Sequence, residues 1–302
     1  MLIDTVRSYI ALRRAAGFGM VSVEPLLVDF AHYAHARGEV VVRADTAIAW
    51  ASRGRSPERR ETLIRAVAVF ARHARAEDPR HEIPPGDLLG RYYRRPTPFI
   101  FSAEQLRRLL EAARRLGPPG SLRPHTYETL FALLAVTGLR VSEALALRRE
   151  DLTRDGLHIR KTKFQKSRLV PLHRTVASAL ERYLDRRRVV GGEADRVFVG
   201  ADGRPLRYKI VWYTFARLVR AIGLAARGQP QPHVHSLRHT FAVRALESRP
   251  ESRLSVARHQ VALMTYLGHS HLESTYWYLQ STPLLLHDIA DACEAVGVGG
   301  GL

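Results

Sequence analysis

Apolar residues recur at helical spacing along the first eighty residues of the chain. Val6 and Ile10, for example, lie four residues apart on one helix face, and Gly17 ends that pattern. Ser56 is a suitable N-cap and Pro57 a suitable first residue for a longer helix further on. The pattern predicts four helices, at 2–17, 23–38, about 45–50 and 56–78.

The helical pattern stops between residues 77 and 99. This stretch holds five prolines and two glycines, a composition typical of an exposed linker. It also carries Arg94 and Arg95. From composition alone, a linker that lies along a phosphate backbone and a basic linker that is simply solvated are about equally favoured. We expect a helical domain over 1–90, a basic linker over 91–99 and a second domain over 100–302.

The second domain combines helices with one hairpin. Ser102 and Gln105 form a capping-box pattern, and two β-prone runs, Leu157–Arg160 and Arg168–Pro171, flank a basic tip. Further helices are expected near Thr126–Val136, Thr175–Arg188, Tyr208–Ile222, Ser236–Leu246, Ala257–Leu267, Leu272–Leu279 and, in the tail, about 283–296. The fold class is therefore mainly α with a small antiparallel β-sheet.

Charge narrows the class of partner. The 302 residues include 47 basic and 29 acidic side chains, a net charge of +18 that favours a polyanion such as nucleic acid. A membrane surface is disfavoured because the apolar run Thr129–Leu139 has only 11 residues, and the N-terminus lacks a signal-peptide layout. A single cysteine, Cys293, leaves no disulfide framework and suits a reducing cytoplasm.

Arg140 lies where an apolar helix breaks, in the segment Thr-Gly-Leu-Arg-Val-Ser-Glu. Placing a permanent charge between apolar helices is costly, so either a carboxylate or an external anion should accompany it. Glu143, three residues later, is expected to orient an arginine of this region, and Asp151 to cap a turn.

Lysine is rare and clustered in this chain. Only four of the 47 basic residues are lysines, and Lys161, Lys163 and Lys166 lie within six residues at the hairpin tip. Lysine can release a proton whereas arginine effectively cannot, so three lysines together in an arginine-rich chain require an explanation.

Two later segments add polar groups to apolar helices. His235 and Arg238, in His-Ser-Leu-Arg-His, share one side of a helix start. His269 follows Gly268 in Leu-Gly-His-Ser, and Tyr278 comes nine residues after it. Each residue alone is more often structural, as a core histidine or a packed tyrosine.

In this order, however, the segments strongly resemble the tyrosine recombinases, also called phage-type integrases. The resemblance covers most of residues 100–282 and extends to the helical N-terminal segment, which is similar to the core-binding domain of that family. It implies that strands are cut and rejoined through a 3′-phosphotyrosyl link. It implies a nucleophile, Tyr278, and five assisting residues: Arg140, Lys163, His235, Arg238 and His269. Because both domains are basic, we expect them to clamp duplex DNA.

The chemistry of these residue types agrees with those roles. Arg140 and Arg238 can each donate paired hydrogen bonds to phosphoryl oxygens, so the missing counter-ion of Arg140 would be the scissile phosphate. A phenol with a pKa of about 10 needs a base, and an ordinary histidine such as His235 titrates in a useful range. Lys163 can protonate the leaving 5′-oxygen. Exchange of one ester for another requires neither metal nor nucleotide, and the histidine pair lacks further ligands at metal-site spacing.

Two assignments have neighbouring alternatives. Tyr276 lies about 200° from Tyr278 around a helix, so only one of them can face the phosphate, and the nine-residue offset from His269 favours Tyr278. The family commonly flanks its lysine with glycine, whereas Lys163 lies between Thr162 and Phe164. Lys161 or Lys166 could therefore be the acid instead. The predicted DNA contacts are Arg94, Arg95, Lys161, Lys166 and Arg168.

The expected partners follow from the same resemblance. They are duplex DNA with inverted half-sites, accessory proteins, and other copies of the chain. Four copies would form a tetramer in which each tail helix docks on a neighbouring protomer. The expected location is the cytoplasm, in association with the nucleoid. A mobile-element recombinase is favoured over a chromosome-resolution enzyme. The rivals are a type IB topoisomerase, which would relax plasmids as a monomer, and a silent DNA-binding regulator, which would form no covalent complex with DNA.

Overall fold

The structure is a computed structural model that describes residues 1–86, 97–160, 167–190, 195–226, 231–247 and 253–268, with the backbone alone for 253–257 and 260. The chain divides into two compact units, Met1–Arg95 and Pro96–Leu302. Within the described residues, no helix has both the length and the apolar character that crossing a membrane requires.

The first unit contains the four predicted helices. They are α1 (Leu2–Ala15), α2 (Glu24–His35), α3 (Ala44–Ser52) and α4 (Pro57–Glu77). The Ser56 hydroxyl accepts a hydrogen bond from the Arg59 backbone N–H at 3.2 Å, so the predicted N-cap is confirmed. The apolar faces meet in one core, where the rings of Phe30 and Trp50 pack edge to face with centroids 5.4 Å apart.

A buried histidine fixes the chain that follows α4. His81 is 4 % exposed, and its Nδ1 accepts a hydrogen bond from the Val42 backbone N–H at 3.0 Å. Burial lowers the pKa of His81, because the imidazolium would lose its hydration, although the nearby Asp78 carboxylate opposes this shift. His81 is therefore held in its neutral form.

The second unit is mainly helical. Its helices are α5 (Ala103–Arg114), α6 (Arg123–Thr137), α7 (Val141–Ala146), α8 (Arg174–Val190), α9 (Tyr208–Ala221), α10 (Val234–Glu247) and α11 (Arg253–Leu267). The Ser102–Gln105 capping box is confirmed at the start of α5. The helices predicted at Leu272–Leu279 and about 283–296 lie outside the described residues.

Helix α6 lies at the centre of this unit, in contact with α5, α8 and α10. The buried residues of α6 share one broad face of the helix, whereas Val136 on the opposite side is exposed. Phe131 packs edge to face on Phe215 of α9, with ring centroids 5.3 Å apart, and Phe215 in turn contacts Phe101. The core therefore fixes the end of α6, where Arg140 follows.

The predicted hairpin is confirmed as part of a three-stranded antiparallel sheet. The strands are β1 (Leu152–Thr153), β2 (Gly156–Ile159) and β3 (Arg168–Val170), in the order β1-β2-β3. Leu157 pairs with Val170, and Ile159 pairs with Arg168. The short β1, which the sequence pattern did not predict, follows a 3-10 turn capped by Asp151, whose carboxylate accepts from the Arg148 N–H at 2.8 Å.

Replacing His81 with leucine should destabilise the first unit and flatten its pH dependence. The Val42 N–H would lose its acceptor in the interior, a cost of about 1–3 kcal/mol. In the parent, His81 binds a proton in the unfolded chain as the pH falls through about 6.5, whereas burial disfavours this proton in the folded chain. The free energy of unfolding of the parent should therefore decrease at low pH, and the leucine variant should lack this contribution.

Urea unfolding at pH 8 and pH 5.5 checks this, with the exposed His32→Gln as control. A leucine variant with the stability and pH response of the parent would contradict the account.

Candidate functional site

The turn between α6 and α7 depends on a glycine. Gly138 has a φ of +60°, a left-handed conformation that ends α6. A Cβ at this position would lie 2.4 Å from Cδ1 of Phe241, so a larger residue would also clash with α10. The turn buries Leu139 and brings Arg140 to the start of α7.

Arg140 does have a carboxylate partner. Its backbone N–H donates to Glu143 Oε2 at 3.0 Å, and its Nη1 donates to Glu143 Oε1 at 2.8 Å. Its Nη2 donates to the carbonyl of Gly268 at 3.0 Å. The Arg140 side chain is nevertheless 28 % exposed. It therefore combines a fixed position with access to an external anion.

Glu143 also binds a second arginine. Arg168 donates from Nη1 and Nη2 to the two carboxylate oxygens of Glu143, at 3.1 and 2.8 Å. Burial opposes ionisation of Glu143, but the hydrogen bonds and charges of Arg168 and Arg140 outweigh it and lower the pKa of the carboxyl. Glu143 therefore orients two arginines, as the sequence suggested for one.

Arg168 was predicted as a DNA contact, and the structure gives it other partners. Besides the bidentate pair with Glu143, its Nε donates to the carbonyl of Tyr266 at 2.8 Å. Its side chain is only 11 % exposed. The side chain is therefore turned into the protein, where it joins β3 to α11.

Arg238 bridges two helix ends inside the protein. It is 1 % exposed, and it donates from Nη1 to the Gly138 carbonyl at 2.6 Å and from Nη2 to the Leu267 carbonyl at 2.8 Å. These carbonyls end α6 and α11, where the helix dipole places partial negative charge. Buried charge of this kind is tolerated because the acceptors are ordered and partly negative.

The arginines meet at three consecutive carbonyls. Tyr266, Leu267 and Gly268 accept from Arg168, Arg238 and Arg140 respectively. His269 is the next residue along the chain. The segments around Arg140 and Arg238 therefore converge with Leu267 and Gly268 at the end of α11.

His235 lies beside this cluster on the first turn of α10. Its ring meets the ring of His239 edge to face, with centroids 4.6 Å apart. His235 is exposed at the surface, but protein atoms around the ring partly desolvate it, which disfavours the charged imidazolium. The charges of Arg238 and Arg140 disfavour the imidazolium further. Desolvation and these charges together lower the pKa of His235 to about 4, below the ordinary value assumed from the sequence. The imidazole is neutral at pH 7.

The described part of the site has more cations than carboxylates. Three guanidiniums, of Arg140, Arg168 and Arg238, surround the end of α11, and Glu143 is the carboxylate bonded to two of them. This excess favours binding of an anion next to Arg140. Within the described residues, no group of three histidine, cysteine or acidic side chains is placed to hold a metal ion.

Other predicted residues lie outside the described residues. These are Arg94, Arg95, Lys161, Lys163, Lys166, His269 and Tyr278. Sequence reasoning also missed the acceptors of the site, the carbonyls of Gly138, Tyr266, Leu267 and Gly268, because a backbone carbonyl has no residue-type signal. The only available hint was glycine following an apolar run, at Gly138 and Gly268.

Comparisons with known proteins identify the family of this chain. Residues 100–284 match the sequence model of the phage integrase family. The chain is 38 % identical over 296 residues to a putative integrase/recombinase, y4rB, of Sinorhizobium fredii, and the match covers 94 % of each protein.

Solved structures show the same fold. The XerH site-specific recombinase in a post-cleavage complex with its palindromic difH substrate aligns with a TM-score of 0.68 at 20 % identity, covering 91 % of this chain and 80 % of that one. The Tn1549 transposon integrase in complex with transposon right end DNA aligns with a TM-score of 0.66 at 19 % identity, covering 92 % and 94 %.

With a family match over more than half of its length and a relative aligned almost from end to end, the chain belongs to the phage integrase family, the tyrosine site-specific recombinases, whose members are DNA strand-exchanging enzymes.

Proposed function

We propose that this protein cuts and rejoins duplex DNA at specific sites through a covalent bond between Tyr278 and a 3′-phosphate. The observation that carries the proposal is the convergence of Arg140, Arg238 and neutral His235 around the end of α11, directly before His269. A partly exposed guanidinium beside a second, buried one suits a phosphodiester, whose oxygens gather charge during attack.

The proposed cleavage step is a transesterification. The Tyr278 oxygen attacks phosphorus, its proton passes to His235, and the P–O5′ bond breaks as Lys163 protonates the 5′-oxygen. Arg140 and His269 donate to the phosphoryl oxygens, and Arg238, whose terminal nitrogens donate to helix-end carbonyls in the free protein, stabilises them through its charge. Because one ester replaces another, a 5′-hydroxyl from a second strand can reverse the step and complete the exchange.

His235 is suited to accept that proton once DNA is bound. In the free protein its low pKa keeps the ring neutral, with a lone pair available. A phosphate entering the site adds negative charge next to Arg140 and Arg238, which raises the pKa of a neighbouring imidazole. The substrate thus offsets the arginine charges, which add to desolvation in lowering the pKa of His235 in the free protein.

The remaining assignments are also proposals. Residues 1–90 form a core-binding domain and 100–302 the catalytic domain, and the two clamp DNA with the linker 91–99 between them. Arg94, Arg95, Lys161 and Lys166 contact phosphates. Four protomers assemble on two DNA sites that each carry inverted half-sites, and the tail helix at about 283–296 docks one protomer on the next. The assembly forms in the cytoplasm, in association with the nucleoid. The DNA-bound Tn1549 integrase favours a mobile element as the source of the sites.

Replacing Tyr278 with phenylalanine should abolish covalent attachment to DNA, because the nucleophilic oxygen is lost. Tyr276→Phe, the matched control two residues away, should retain it. A substrate nicked beside the cleavage site traps the adduct, which is then counted on a denaturing gel.

If the parent forms no adduct, only a binding role remains. Adduct formation by Tyr278→Phe would show that another residue is the nucleophile. Relaxation of plasmids that lack a recombination site, by a monomer, would favour topoisomerase activity.

The ring of His235 should stay neutral in the DNA-free protein at pH 5.5, where an ordinary histidine is mostly charged. Its folded pKa of about 4 in the free protein lies below that pH. NMR titration of the histidine rings checks this, and His235→Gln assigns the signal. A midpoint near 6.5 would contradict it.

Ending the chain after Ser281 should preserve DNA binding and weaken synapsis, because the proposed docking helix is removed while the arginine cluster is kept. Gel-shift and cross-linking assays on the same DNA would separate the two properties. Unchanged assembly of the truncated protein would remove the docking role.

A further inference from the structure

Arg168 connects three parts of the site at once. It begins β3, directly after the hairpin tip 161–166, and its guanidinium donates to both oxygens of Glu143 and to the Tyr266 carbonyl. Glu143 in turn holds the backbone and side chain of Arg140. One side chain therefore joins β3, the Arg140 turn and the end of α11.

The packing around Arg168 leaves little freedom. Its side chain is almost buried, and a Cβ at Gly268 would lie 2.9 Å from its Nη1. Gly268 also has a φ of +66°, which favours glycine. The guanidinium thus lies against the turn that leads into His269, and it could reach a DNA phosphate only by leaving Glu143 and Tyr266.

The charge of Arg168 also affects Arg140. Glu143 is bonded to both guanidiniums. If Arg168 were removed, the Glu143 charge would fall on Arg140 alone, which would weaken the attraction of Arg140 for an anion from outside. With Arg168 present, the carboxylate holds Arg140 in place without cancelling its charge.

We infer that Arg168 is a positioning residue for strand cleavage: it sets the hairpin, Glu143 and the α11 end relative to one another and leaves Arg140 available to the scissile phosphate. The inference rests on the proposed recombinase function. It replaces the DNA contact predicted for Arg168, and the two roles have different experimental signatures.

The test compares the full-length Arg168→Met protein with Arg107→Met, which loses an exposed arginine paired with Glu104 on α5. Both should bind duplex DNA carrying the site with similar affinity and the same salt dependence. Arg168→Met should cleave the nicked substrate about 100-fold more slowly, the effect expected of a misplacement of about 1 Å. A phosphate contact would instead weaken binding and lower the salt slope by about one.

Two further variants separate positioning from simple structural damage. Adding Glu143→Gln to Arg168→Met removes the carboxylate charge from Arg140, and the double variant should recover at least about 10-fold in cleavage rate, a coupling typical of contacting residues. Arg168→Lys keeps the charge but cannot supply the same bidentate donors, so it should remain well below the parent.

Hydrogen exchange at the Gly268 amide, which donates to the Thr265 carbonyl, tests the anchoring without activity. It should be faster in Arg168→Met than in Arg107→Met. The inference would be overturned if Arg168→Met exchanged this amide or cleaved DNA at the rate of Arg107→Met, or if its salt slope were reduced. It would also be overturned if the double variant showed no recovery of cleavage. A parent without adduct would instead overturn the proposed function.

Discussion

The site depends on the ability of one helix end to accept hydrogen bonds from several cations. The last carbonyls of an α-helix have no partner within the helix and carry partial negative charge. At the end of α11, the carbonyls of residues 266–268 accept from Arg168, Arg238 and Arg140. Because each arginine comes from a different part of the chain, these bonds hold β3, α10 and the α6–α7 turn against one point.

The same bonds explain how so much positive charge is kept together. Arg238 is buried, yet both of its terminal nitrogens donate to carbonyls at helix ends. Arg140 and Arg168 share Glu143, whose carboxyl they keep ionised. The remaining positive charge lies beside His235, where it adds to desolvation in lowering the pKa of the imidazole and attracts an anion. The protein thus stabilises the cluster through helix-end carbonyls and the Glu143 carboxylate and leaves the excess positive charge for the substrate.

The fold could largely be predicted because its signals are local. Helical spacing, the Ser56 cap and the Ser102–Gln105 capping box depend on residues a few positions apart, and the structure confirms them. The short strand β1 could not be predicted, since two residues carry no periodicity and their strand state comes from pairing with β2.

The site was predictable in its residue types but less so in its partners. Arg140 and Arg238 stood out because their segments resemble those of a known family. The acceptors of Arg238 are backbone carbonyls, and the direction in which the Arg168 side chain points is set by β3 and α11. The pKa of His235 likewise depends on charges distant in sequence, such as Arg140. Such properties exist only after the chain has folded.

The most direct test of the central claim uses DNA in which the scissile phosphate is a neutral methylphosphonate. If the charge of Arg140 serves to balance that phosphate, Arg140→Ala should lose about 100-fold or more in cleavage on ordinary DNA and far less on the neutral linkage. An equal loss on both substrates would show that Arg140 acts through structure and not through charge, and would contradict the account.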